Sequence, residues 1–179
     1  VSNLVRETFE NGSVIYTDNG VPHRHDGPAL INADGTKKGT EFVVVTGNSP
    51  SNPSVTVLKD NSFVVTWSEL DGQGQPKIGR WQQFNSAGVA LGAIKDIQTP
   101  IEVAPLVARL VDGGFVLGWD TGSAIQMQVF DASGTAVGSS TIVTPPGGSV
   151  GLFGINITGL STGGYALSYT YGLSNGSVV

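Results

Sequence analysis

An all-β fold made of tandem four-stranded units is expected for this 179-residue chain. Three observations predict it. The composition pairs 26 glycines with only 13% charged residues, which suits short strands and tight turns and weakens helices. A turn–strand–aromatic motif recurs about every 50 residues. A second motif, with two glycines four positions apart, falls between its copies.

The first motif reads Asp60-Asn61-Ser62-Phe63-Val64-Val65-Thr66-Trp67, then Asp112-Gly113-Gly114-Phe115-Val116-Leu117-Gly118-Trp119, then Thr162-Gly163-Gly164-Tyr165-Ala166-Leu167-Ser168-Tyr169. A degenerate copy runs from Asn11 to Asp18. Extended runs precede each one: Leu4 to Phe9, Val55 to Leu58, Leu106 to Val111 and Phe153 to Leu160. Each pair is expected to form a hairpin of strands a and b. Its turn carries residues that tolerate positive φ, as two-residue hairpin loops require. The second motif reads Asn32 to Gly39, Phe84 to Gly92 and Phe130 to Gly138, each followed by an extended run closing on Thr46, Thr99 or Thr144. This predicts a second hairpin, strands c and d, with the first glycine in the turn and the second at a bulge. In Ile125-Gln126-Met127-Gln128-Val129 the apolar residues alternate with Gln, as a strand with two unlike faces does.

The copies therefore span 1–46, 54–99, 104–144 and 153–179, the last incomplete, with Gly-, Pro-, Ser- and Asn-rich linkers at Gly47–Pro53, Pro100–Val103 and Pro145–Val150. The b–c loop differs in every copy: Asn19–Gly27, Ser68–Gln75, Thr121–Ser123 and Tyr171–Gly176. A lone meander cannot bury both faces, so the copies are expected to stack as β-propeller-like blades. A β-sandwich or irregular barrel of the same hairpins is the alternative. The chain starts and stops within apparent strands, so a region of a longer polypeptide is expected.

Net charge is −5, and the nine Lys and Arg are scattered. Phosphate-backbone binding needs clustered cations, so nucleic acid is an unfavoured partner. The chain has no Cys and hence no disulfide or thiolate metal site. No apolar run reaches the length of a membrane-spanning helix, and no leader pattern starts at Val1.

Asp112 to Trp119, followed by Gln128-Val129-Phe130-Asp131-Ala132-Ser133-Gly134-Thr135-Ala136-Val137-Gly138, resembles a tandem repeat of very large secreted bacterial proteins, the RTX-type adhesins and surface proteins. Copies two and three carry the resemblance. Copy one shares Asn32–Thr36 and Gly39–Phe42, and copy four shares Gly163-Gly164-Tyr165. The resemblance implies propeller-like blades and an extracellular or cell-surface location. The glycine-rich calcium nonapeptide is missing from this chain, so no calcium ligand is carried over.

Trp67, Trp119 and Tyr169 end the b strands. They are expected to pack between copies, or else to stack on sugar rings as in a carbohydrate-binding protein. Asp60 and Asp112 read as turn formers. Trp81 reads as core or surface filler. Asp71, with Glu69 in the same loop, is a candidate ligand for glycan or Ca²⁺, although calcium takes more oxygens than these two provide. His23, His25 and Asp26 form the one cluster of metal-binding composition; alternating strand positions would aim both imidazoles to one side, while Arg24 and the variable loop around them favour a solvated loop instead. No nucleophile elbow, P-loop or dinucleotide fingerprint occurs, so no catalytic residue and no organic cofactor are assigned. The expected function is a non-catalytic structural or adhesive module that contacts a glycan or host surface through its b–c loops. The alternatives are a self-assembling filament or virion subunit, completed by strand-edge pairing with another copy or the rest of a longer chain, and a polysaccharide hydrolase.

Overall fold

The computed structural model describes residues 4–8, 14–18, 21–22, 42–45, 50–97, 101–146 and 149–173. The described residues contain strands and turns and no helix. The chain divides into two compact units, 1–46 and 47–179. In the first, β1 (Leu4–Thr8), β2 (Val14–Asp18) and β3 (Val21–Pro22) form an antiparallel meander, with Thr8 opposite Val14.

The second unit holds three sheets, one per copy. β4 (Pro50–Val57), β5 (Phe63–Leu70), β6 (Pro76–Phe84) and β7 (Lys95–Asp96) make a four-stranded antiparallel meander. β8 (Val103–Arg109), β9 (Phe115–Asp120), β10 (Ile125–Phe130) and β11 (Ala136–Val143) repeat it. β12 (Ser149–Gly159) and β13 (Tyr165–Leu173) form the a–b hairpin of copy four; residues 174–179, where strand c is expected, lie outside the described residues.

The a–b turns of copies two to four share one design, which is not the expected two-residue loop. Asn61 N–H donates to Leu58 O, and Leu58 N–H donates to Ser62 O; Gly113 with Leu110–Gly114, and Gly163 with Leu160–Gly164, repeat this pair of bonds. This is a three-residue loop whose last residue has positive φ. That residue is Asn61 (φ 64°), Gly113 (100°) or Gly163 (101°), followed in copy four by a second such residue, Gly164 (74°). Loop length fails to follow from the sequence because both loop types ask for a positive-φ residue. The c–d turns Asn85–Val89 and Asp131–Thr135 and the b–c turn Asp71–Gln75 use the same pair of bonds. Asx caps hold them: Asp131 Oδ1 accepts from the N–H groups of Ser133 and Thr135, both at 2.9 Å. Asn85 does the same for Ala87 and Val89. Asp60 and Asp112 cap the a–b turns through Ser62 N–H and Gly114 N–H. The second glycine stands at a bulge, as expected: the β10–β11 register shifts opposite Gly138, whose φ is +66°.

Several boundaries differ from expectation: Val103 opens β8, Ser149 and Val150 open β12, and Tyr171 to Leu173 close β13, outside the linkers and the b–c loop assigned to them. Pro50 to Pro53 belong to β4 rather than to a linker. An edge strand tolerates proline, and a register shift between Ser51 and Ser54 absorbs the irregularity. Ser68 to Leu70 extend β5 rather than open the b–c loop, because Ser68 is buried and Glu69 pairs with Arg80 of β6 at 2.5 Å.

The sheets pack face to face in chain order. β8 lies against β4 and β5, and β12 lies against β8 and β9. Val64 of β5 meets Val107, Phe115, Leu117 and Trp119 of the next sheet in one core. Val116, Ile125 and Met127 on the opposite face meet Ile157 in a second core, with Tyr165, Leu167 and Tyr169 packed on it. β9 and β13 thus turn their aromatic sides to the copy before, and β5 and β9 turn their smaller sides to the copy after. This explains why β9 is buried at every position, as a strand covered on both faces must be.

Candidate functional site

Trp119 is 6% exposed and sits in the core between copies two and three. Trp67 is 2% exposed, and its indole N–H has no hydrogen-bond partner among the described residues. Tyr169 packs against the second core, its ring 6.0 Å from that of Tyr171. The three b-strand aromatics therefore act in packing, and neither indole offers a face to a sugar ring.

Asp71 Oδ1 accepts from Gln73 N–H (2.8 Å) and Gln75 N–H (3.0 Å) of its own turn. These bonds, Gln75's first, hold its carboxyl below the ordinary range. Glu69 does not share that loop. It is buried in β5 against Arg80, and Asp96 lies 2.9 Å from Arg80 Nε but off the N–H axis, so that contact is coulombic. His23, His25 and Asp26 lie outside the described residues. Among the described residues, no three acidic or imidazole side chains come together as a metal-binding group.

Trp81 belongs to the core, as one of the two readings of it expects, and is the hub of the junction between sheets. It meets Phe115 edge-on at 5.3 Å and Phe130 at 5.0 Å, while Phe115 and Phe130 stack at 5.1 Å. Lys95 Nζ lies 4.5 Å over the indole and donates to Gly134 O at 2.8 Å. Gln83 donates to Ala132 O at 2.9 Å. The c–d turn of copy three is thereby clamped onto the sheet of copy two.

One concave surface combines polar and apolar groups. The a–b ends of copies two, three and four line an open cleft of about 670 Å³. Leu110 lines it, buried beside the close approach of Gly159 to the Arg109 carbonyl. Its rim carries Lys59 and Arg109, both exposed. Sequence reasoning misses this cleft because Lys59 and Arg109 are 50 positions apart and neither recurs at equivalent positions of the other copies.

No protein family, curated protein or solved structure matches the chain. The fold defines an all-β class: antiparallel sheets, one to each sequence repeat, with those of residues 47–179 packed in chain order.

Proposed function

We propose that this chain is a non-catalytic structural and adhesive module of a bacterial surface or secreted protein, its sheets arranged as propeller-like blades. One observation carries the reading: the residues that recur from copy to copy are occupied in stacking the copies or capping their turns. Phe115 and Trp119 fill a core between sheets, while Asp112 and Asp131 bond their own turns. A repeat whose shared positions all serve the scaffold suits a rigid surface element.

The blade arrangement is supported by a wedge-shaped gap. Near the a strands the sheets approach so closely that Thr66 Oγ1 bonds Pro105 O and Gly159 abuts the Arg109 carbonyl. Toward the c strands the gap takes Trp81 and Phe130. Radial packing requires such widening, whereas a sandwich keeps its sheets about 10 Å apart. The extracellular setting is supported by the resemblance of copies two and three to adhesin repeats. The b–c turns of copies two and three are short, which leaves the ends of the stack to supply contact surfaces.

Two measurements test this reading. Residues 47–179 are expected to unfold in one cooperative transition within the full chain, and separate transitions for its three sheets would argue against stacking. Beads coated with the full chain are expected to be retained on a glycan array or a cell surface. Blank arrays and unretained beads, with and without Ca²⁺, would remove the adhesive part.

A further inference from the structure

We propose that the cleft at the a–b ends of copies two to four binds a carboxylate-bearing saccharide, with Lys59 and Arg109 holding the carboxylate. The inference rests on the adhesive reading above and gives it a place and a ligand class. Three observations carry it. First, neither Lys59 nor Arg109 has an ion-pair partner among the described residues, in a chain with nine cations and a net charge of −5. Both flank one cleft of about 670 Å³, within the range of small-ligand sites. The nearest acids in these turns, Asp60 and Asp112, are turned into their own turns by bonds to Ser62 and Gly114.

Second, the rest of the cleft suits a sugar. Thr56, Thr158 and Ser161 contribute hydroxyls that can donate or accept, and Leu110 contributes an apolar side chain. Sugar rings carry hydroxyls on their edges and C–H groups on their faces. Two cations lining one cleft add preference for a carboxylate, to which guanidinium binds in bidentate fashion.

Third, the two cations break the repeat. Val111 and Ser161 stand where copy two has Lys59; Val57 and Gly159 stand where copy three has Arg109. The scaffold is therefore built at these positions without a cation, and both charges are surplus to the fold.

The test is calorimetric titration of the full chain with a mannuronate trisaccharide, maltotriose and inorganic phosphate, at low and high NaCl. The uronate is expected to bind, maltotriose at least about tenfold more weakly, and 0.5 M NaCl to weaken the uronate. Lys59→Gln and Arg109→Gln are each expected to weaken it about tenfold with an unchanged melting temperature. Uronate that fails to bind, or binds equally to the double variant, overturns the site. Equal binding of maltotriose overturns the charge selection while leaving glycan adhesion standing. Phosphate that competes as well as the uronate overturns the saccharide assignment. Beads that adhere in the absence of uronate binding show that this inference fails and the adhesive reading does not.

Discussion

The hydroxyl of Thr66 donates to the main-chain carbonyl of Pro105 across 2.6 Å, tying the b strand of one sheet to the a strand of the next. Thr66 is fully buried. Thr66→Val keeps the shape and deletes the donor. The carbonyl is then left buried without its partner, a loss of about 1–3 kcal/mol. Chemical denaturation of variant and parent measures it.

Trp81 fills the gap between sheets against Phe115 and Phe130. Trp81→Ala is expected to cost about 3–5 kcal/mol through lost burial and the cavity left behind. Trp81→Phe retains an aromatic partner and should cost clearly less. If both variants melt with the parent, the inter-sheet core is not where stability resides.

A Cβ on Gly159 would collide with the Arg109 carbonyl, a main-chain atom that cannot swing aside. At Gly72 a Cβ meets nothing within 4 Å, and the φ is not positive. Gly159→Ala should therefore destabilise by about 1–3 kcal/mol, whereas Gly72→Ala should change stability by less than about 0.5 kcal/mol. Paired thermal melts decide between them.

Burial pushes the Asp120 carboxyl above its ordinary value of 3.8; the Gly122 N–H opposes the shift and the Glu102 charge adds to it. A raised carboxyl binds its proton more tightly when folded, so ionisation costs stability as pH rises above 3.8 and stops costing below it. Asp120→Asn keeps an acceptor for Gly122 N–H, which bonds Oδ1 at 2.6 Å. The variant should melt above the parent at pH 7, with the gap closing toward pH 3. A gap that does not depend on pH would sink the assignment.

Asp131 behaves in the opposite sense. The Ser133 hydroxyl and then the Thr135 N–H hold its carboxyl below the usual value of 3.8. Its contribution is present above that value and is lost as pH falls through the lowered one. Asn85 makes the equivalent backbone bonds in copy two. Asp131→Asn is therefore expected to fold normally and to flatten the acid limb of the stability curve.

Much of the architecture was legible because hairpins leave local marks. The Asp-Gly-Gly turn before Phe115 and the Gln alternation around Met127 each point to a strand pair without reference to anything distant. The candidate site was far less legible. Trp119 ends a strand as a sugar-stacking aromatic would, yet its surroundings come from the preceding copy. Glu69 and Asp71 are two positions apart, but one is buried against Arg80 and the other caps a turn.

The sequence by itself determined the period, the hairpins, and the residues that make the turns, because these depend on backbone preferences within a few positions. Tertiary structure decided which face of each strand meets which copy, and that Trp81 bridges two sheets. It also brought Lys59 and Arg109 to one cleft. Contacts between copies join residues about 50 positions apart, and strand periodicity identifies two faces without saying what will cover either one.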